Sequence, residues 1–151
     1  MTAVVRLGRE TDYPQLYAMG QRFADASPFK GTANAAQLRR VLVESSEDGL
    51  LLVAAVNDLV VGCLVGVTNT LWYDPDTLLA VELAWWIDPE FRKGTVGLRL
   101  WRGFETQARA AGCKFCTMMT LPLTDPTGRI ATMYERQGYV LTEKSYMKEL
   151  E

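Results

Sequence analysis

The sequence contains no histidine. The commonest general base is therefore missing, and any proton transfer falls to Glu, Asp, Tyr, Lys or Cys. Cysteine is scarce too, with Cys63, Cys113 and Cys116 alone. An odd, small number argues against a disulfide framework and suits a reducing compartment. Cys113 and Cys116 have the CxxC spacing of redox and zinc sites, but zinc usually takes four ligands and only one further cysteine exists. We read them as small hydrophobes of a strand, with no metal. No apolar run approaches the ~18 residues of a membrane span. The start, MTAVVRLGRETD, lacks the apolar core of a signal peptide, so the chain reads as cytoplasmic. Neither the P-loop pattern G-x-x-x-x-G-K-[ST] nor the dinucleotide pattern G-x-G-x-x-G occurs.

What is present suits one domain. The chain has 151 residues, 48% apolar and 23% charged, enough to bury a core without staples. The net charge of −2 is unevenly spread: residues 1–91 carry −6, residues 92–114 carry +5 and residues 115–151 carry −1. The basic block, Arg92, Lys93, Arg99, Arg102, Arg109 and Lys114 against Glu105, begins beside Gly94 and Gly97. It reads either as a solvated helix face or, placed at a helix start, as a site for a polyanion of limited size.

Periodicity orders the elements. Residues 3–7 form a strand, and Thr11-Asp12 cap a helix over YPQLYAMGQRFA. SPFKGT is a loop, and Asn34 caps a second helix with Leu38, Val41 and Leu42 on one face. Strands at 50–56 and 59–68 join in a hairpin at Asn57-Asp58. TNTLWYDPDT is a loop, and residues 78–87 form a strand apolar almost throughout, as one covered on both faces is. A helix runs from Val96 to Ala111 with Gly112 as its stop, and a strand occupies 114–121. Asp125-Pro126 start a helix that ends at Gly138, and residues 139–150 make the last strand. This predicts a single α/β domain over 1–151, a mixed sheet of about six to seven strands with helices on both faces.

The glycine turn alone says little. Gly94-Thr95-Val96-Gly97 satisfies the G-x-x-G of a KH nucleic-acid loop, but that fold needs another element order, and the acidic remainder disfavours a phosphate backbone as partner. The glycines also suit plain strand–helix packing. Two stretches in order decide the matter: IDPEFRKGTVG (87–97) and MYERQGY (133–139). With the element order, which covers essentially the whole chain, they resemble the GNAT family of acetyl-CoA-dependent N-acetyltransferases. The family patterns are V-x-P-x-[YF]-R-x-x-G-x-[GA] and [LM]-Y-x-x-x-G-[FY]. Thr95 departs from the first, standing where the family has glycine; Thr95 cannot take positive φ cheaply, so the loop path is expected to differ.

The resemblance implies acetyl-CoA as co-substrate. The first turn of a helix leaves backbone N–H groups without partners, so residues 93–98 can wrap a diphosphate. Arg92, Lys93, Gly94, Thr95, Val96, Gly97 and Leu98 are the candidate binding residues, with Arg99 in support. The backbone of Trp85, Trp86 and Ile87 would receive the pantetheine arm. Glu82 is the only charge between Leu78 and Ile87. In a central strand its carboxyl would have a raised pKa, which suits a general base near neutrality; the other reading is a Glu that escapes at a splayed edge or meets an arginine. Family members often place a base on this strand; others use the next, but FCTMMTL offers no carboxylate. Tyr134 matches the tyrosine that in many members protonates the departing sulfur, against the plainer reading of a packed ring. The asparagine that often opens the last helix is missing; Asp125 and Thr127 stand nearest.

Asp25, Phe29, Trp72 and Tyr73 are the candidates for binding the amine acceptor, a small amine or a protein amine. Acidic loops with packed aromatics read equally well as surface, and Trp72 and Tyr73 as a homodimer contact. The competing function is a GNAT-fold module that binds CoA or a protein without turnover.

Overall fold

The computed structural model describes residues 2–29, 31–122 and 125–151. Lys30, within the expected SPFKGT loop, lies outside the described residues. The chain separates into two compact units, Met1–Met119 and Thr120–Glu151.

In the first unit, strands β1 (Val4–Leu7), β2 (Leu51–Val56), β3 (Leu59–Leu71), β4 (Asp74–Ile87) and β5 (Phe115–Thr117) form one sheet in sequence order. All neighbours are antiparallel except β4 and β5, which are parallel. The sheet is mixed, as expected, with five strands among the described residues. Residues of β2 are buried on both faces because both faces are covered. On one face helices α1 (Tyr13–Ala26) and α2 (Ala35–Glu47) pack Leu16, Met19 and Leu42 on Leu51, Val53, Cys63 and Val65. On the other, α3 (Val96–Ala110) packs Leu100, Phe104 and Ala108 on Leu50, Leu52, Leu64 and Ala80.

Local chemistry explains most boundaries. Asn34 caps α2 by accepting from the Gln37 N–H at 2.9 Å. Asn57 and Asp58 turn with φ +47° and +65°, the left-handed pair that a two-residue hairpin needs. Gly112, at φ +81°, ends α3: its N–H and that of Cys113 return to the Arg109 and Ala108 carbonyls at 3.0 Å each.

Four expectations need correcting in this unit. Asp12 does not cap α1. It is buried, accepting the Arg9 N–H at 2.7 Å and the fork of Arg6 at 2.7 and 2.9 Å, so it ties β1 to the helix start. The Arg6 hydrogen bond holds its carboxyl below the usual range. TNTLWYDPDT is not an open loop, because β3 and β4 continue to a turn at Trp72-Tyr73, with Leu71 opposite Asp74. Pro75 is tolerated there because residues 75–77 bulge out of the β3 ladder, between the Leu71–Asp74 and Thr70–Leu78 pairs, and β5 reaches only Leu79–Val81 on the other edge. The strand expected at 114–121 shortens to Phe115–Thr117, for a reason that belongs to the site. Finally, β4 carries an extra residue in mid-strand: Val65 faces Ala84 and Gly66 faces Glu82, so Leu83 forms a bulge that continuous apolar patterning concealed.

In the second unit, α4 (Arg129–Arg136) is shorter than expected. Residues 126–127 make a turn, and Gly128, at φ +66°, precedes the first helical residue. Asp125 still acts as a cap from outside the helix, accepting the N–H groups of Arg129 and Ile130 at 3.2 and 3.0 Å. Gly138, at φ +88°, stops the helix as its position implied. The strand expected at 139–150 is not formed: among the described residues this segment joins no ladder, and Val140, Tyr146 and Leu150 are at least 80% exposed. Alternating residues make a strand only where a partner strand takes their peptide groups.

Candidate active site

The site begins where β4 and β5 part. Their parallel ladder runs through Leu79–Phe115, Ala80–Cys116 and Val81–Thr117 and then stops. At the next position stands Glu82, whose carboxylate Oε2 accepts the N–H of Met119 at 2.9 Å. A side chain thus takes the peptide donor that the ladder would have used, and this is why β5 ends early. Residues 82–87 of β4 keep β3 on one side and have no strand on the other among the described residues.

Glu82 is 5% exposed. Burial pushes its carboxyl up to about 7, against the smaller opposing effect of the Met119 hydrogen bond. The raised pKa expected from a lone carboxyl in this strand is thus present, and its partner is a peptide N–H and not an arginine. Opposite Glu82 in the ladder lies Gly66, on which Phe104 of α3 packs. The lack of a side chain at 66 lets that ring close over the sheet beside the carboxyl.

Beyond Glu82, Asp88 turns its N–H to the Val61 carbonyl of β3 at 2.9 Å. By strand alternation the peptide groups of Trp85 and Ile87 face the open side, whereas Trp86 turns its own toward β3. A Cβ at Gly62 would lie 3.1 Å from the Trp86 oxygen, consistent with that direction. Of the three candidates for pantetheine contact, Trp85 and Ile87 are oriented for it.

The loop after β4 is a short 3-10 turn, Pro89–Phe91, followed by α3. Thr95 sits at the helix start with φ −99°, and its side chain makes no cap bond. The N–H groups of Val96, Gly97 and Leu98 precede the first helical hydrogen bond, Arg99 N–H to Thr95 O at 2.9 Å. Gly94 takes φ +157°, and nothing lies within 4 Å of where its Cβ would be. The conformation that only glycine adopts readily has moved one place earlier, and Thr95 needs no positive φ. Gly97 serves packing as well, since a Cβ there would come within 3.0 Å of Ile87 and 3.3 Å of Trp85. An uncapped first turn, open space at Gly94 and the Lys93 charge fit a diphosphate.

The arginines are more committed than the sequence suggests. Arg92 donates from Nε to the Ile87 carbonyl at 2.7 Å and lies 4.7 Å over the Trp86 ring. Arg99 turns to the residue before β1, where Nη1 donates to the Ala3 carbonyl at 2.6 Å. Asp88, which the motif leaves as a variable position, accepts from Trp86 Nε1 at 2.9 Å and from the fork of Arg22 at 3.1 and 3.3 Å.

The acceptor candidates are scattered. Phe29 lines a shallow cleft of about 240 Å³ with Phe23, Ser27 and Thr32. Asp25 accepts from Gln21 on the same helix at 2.9 Å. Trp72 is 94% exposed and packs edge-on to Tyr73, their centroids 5.4 Å apart. Eight strand residues separate this turn from Glu82, roughly 25 Å of extended chain, so the structure does not bring these aromatics to the carboxyl. Cys113 and Cys116 are in no disulfide and pack beside the α3-face core, as small hydrophobes do. In the second unit Tyr134 is buried and lies 5.6 Å from Tyr139, centroid to centroid.

A mixed sheet whose last two strands part over a buried carboxyl, with an uncapped helix start beyond, suits an acyltransferase of N-acetyltransferase type. An acetyltransferase (GNAT) family model matches residues 16–139, and the chain belongs to that family, whose co-substrate is acetyl-CoA. Solved structures agree in fold. A GNAT family acetyltransferase of Staphylococcus aureus is 22% identical with a TM-score of 0.68, over 99% of this chain and 100% of its own. An acetyltransferase of Trypanosoma brucei is 16% identical with a TM-score of 0.72, over 98% and 99%. An aminoglycoside N-acetyltransferase solved in complex with CoA is 14% identical with a TM-score of 0.72, over 98% and 94%. No curated protein matches the chain in sequence.

Proposed function

We propose that this protein moves acetyl from acetyl-CoA to a primary amine by direct attack in a ternary complex, acting as one domain over 1–151. The observation that carries the reading is the parting of β4 and β5 at Glu82, whose carboxyl is pushed up to about 7. The family match, which spans residues of both units, supports the single-domain reading.

The residues take the following parts. The N–H groups of residues 94–98 and the Lys93 ammonium receive the diphosphate, with the remaining Arg92 donors beside them. The outward-facing peptide groups of Trp85 and the Ile87 N–H, whose carbonyl Arg92 holds, receive the pantetheine arm. Glu82 removes a proton from the acceptor ammonium, directly or through water, and the freed nitrogen forms a C–N bond at the thioester carbonyl. A fixed strand N–H supports the oxygen as charge develops there. The C–S bond then breaks, and the thiolate takes a proton from Tyr134, whose part rests on its place in the MYERQGY motif. Tyr134→Phe is expected to lower kcat about tenfold, a modest effect because a thiol of pKa ~8.5 leaves without much help. An unchanged kcat would remove Tyr134 from the mechanism.

The aminoglycoside N-acetyltransferase among the similar folds acts on an amine-bearing small molecule, which supports the amine class of acceptor. Asp25 and Phe29 remain the candidates to meet it; Trp72 and Tyr73 would reach only a large acceptor, such as a protein amine, or a second copy of the chain. The reading is tested by thermal melting with excess acetyl-CoA and with NAD as control. At about a hundred times its Kd, acetyl-CoA should add ~2.7 kcal/mol and raise Tm by several degrees, NAD leaving it unchanged. No shift with acetyl-CoA would overturn the reading.

A further inference from the structure

Arg22 stands in the middle of α1, and Asp88 directly follows β4 at the root of the loop that opens α3. Nε and Nη2 of Arg22 reach Oδ1 and Oδ2 of Asp88 at 3.1 and 3.3 Å, a fork on a carboxylate. The same Oδ1 accepts the Trp86 indole N–H at 2.9 Å. The Trp86 ring is held from two further directions: Phe23, next to Arg22 on α1, meets it edge-on at 6.3 Å, and Arg92 covers it at 4.7 Å. Arg92 in turn bonds the Ile87 carbonyl at 2.7 Å. One connected set of contacts therefore runs from α1 through Asp88 and Trp86 to Arg92, two residues before Gly94.

Stability is a weak reason for this arrangement. The Arg22 side chain is 45% exposed and that of Asp88 18%, and an ion pair so near water contributes little to folding. Its geometric effect is larger. Without the fork, no hydrogen bond of Asp88 among the described residues reaches α1, and its carboxylate is held by the Trp86 indole alone. A 3-10 turn of three residues is all that separates Asp88 from Arg92, so a restraint on Asp88 acts close to the root of the loop.

We propose that Arg22 and Asp88 are a positioning pair that ties α1 to the root of the cofactor loop and sets that loop in its binding shape. Neither residue touches acetyl-CoA; they act through Trp86 and Arg92. The inference rests on the acetyl-CoA reading of the loop. A chain segment held in its bound conformation in advance binds more tightly than one ordered on binding. Loss of the pair thus weakens acetyl-CoA binding while leaving the apo fold nearly unaltered.

The experiment is a double-mutant cycle on the full chain, with Arg22→Ala, Asp88→Asn and both together, titrated with acetyl-CoA in a calorimeter and melted without ligand. Each single change is expected to raise the Kd roughly tenfold, and the double change no more than either alone, because the residues act as one unit. Arg22→Lys keeps the charge without the fork and should restore binding only in part. Apo Tm should stay within about 3 °C of wild type, as for a loss well under 1 kcal/mol. Variants that melt lower yet bind acetyl-CoA as wild type does would make the pair structural only and overturn the proposal, as would effects that add. If wild type itself fails to bind acetyl-CoA, the functional reading falls with it. If wild type binds and the variants bind alike, the positioning pair alone falls.

Discussion

Glu82→Gln should lower kcat/KM roughly a thousandfold and at the same time stabilise the protein above neutral pH. The first effect follows from removing a general base, a group that contributes about 10²–10⁴-fold. Gln keeps the shape and an oxygen for the Met119 N–H, so the cleft geometry survives the change. For wild type, log kcat/KM is expected to climb by one for each pH unit below about 7 and to level off above it, because the carboxyl must be ionised to act. Glu82→Gln removes that slope.

The stability effect has the opposite sign. An acid held in the folded state at about 7, against a usual 4.5, binds more protons folded than unfolded between those values. Stability is therefore full below about 4.5, falls as pH rises toward 7, and stays reduced above it. The whole difference corresponds to about 3 kcal/mol. Denaturant titrations at pH 4.5 and pH 8 measure it: Glu82→Gln should match wild type at the lower pH and exceed it at the higher. A variant equally active at pH 8 would end the assignment of Glu82 as base. A variant inactive at pH 8 but no more stable would leave the base and show that the buried charge is otherwise compensated.

Gly66→Ala is the change expected to harm the fold most for its size. A methyl at 66 would sit 2.4 and 2.6 Å from two ring carbons of Phe104 and 2.9 Å from the Val81 carbonyl. The ring is wholly buried and the carbonyl belongs to the ladder, so neither yields cheaply. Overpacking of this kind costs about 1–3 kcal/mol, and contact with fixed backbone puts Gly66→Ala at the upper end. Phe104→Leu should recover part of the loss, because it relieves the ring contact and leaves the carbonyl contact in place. Urea unfolding of both single variants and the pair measures the coupling; additive losses would mean that the ring is not what the methyl meets. Phe104 also closes the sheet beside Glu82, so the Gly66→Ala carboxyl should return toward the ordinary range and its pH–rate curve move to lower pH.

Much of the architecture was legible because the determining chemistry is local. Asn34 at its helix start, Asn57-Asp58 with left-handed φ, and Gly112 and Gly138 as stops each need only their own neighbours. The apolar run at 78–87 reads as a strand covered on both faces, yet β4 is only half-buried over most of its length, and it is β2 whose residues are buried on both faces. The misreadings share a nonlocal cause. Pro75 and its acids look like a break, and the hairpin accommodates them in a bulge at 75–77 beside an edge that β5 does not reach. Asp12 has the composition of a cap, but Arg6 claims it. Segment 139–150 has the residues of a strand and joins none.

The same distinction holds for the site. Glu82 could be singled out because a lone carboxyl in an apolar run is unusual anywhere. Arg92 and Arg99 were counted as phosphate partners from their position in a basic block, whereas their nearest acceptors are the Ile87 and Ala3 carbonyls. The Arg22–Asp88 pair spans 66 residues, and nothing in either neighbourhood points to the other. Its only trace is an acidic residue in a motif position that any residue can fill.

The bulge at Leu83 makes β4 two half-strands of opposite phase. On the Ala80 side even-numbered residues look toward α3; past the bulge odd-numbered ones do, so Trp85 and Ile87 meet α3 and Trp86 meets α1. Delete Leu83 and the indoles trade sides: Trp86 would leave Phe23, and Asp88 would turn from Arg22. Insertions or deletions elsewhere in a strand shift its end; at this position a single residue decides which helix reads which half of the motif. Homologous chains that differ in length across this strand should therefore differ by even numbers, or carry their odd residue at this one place.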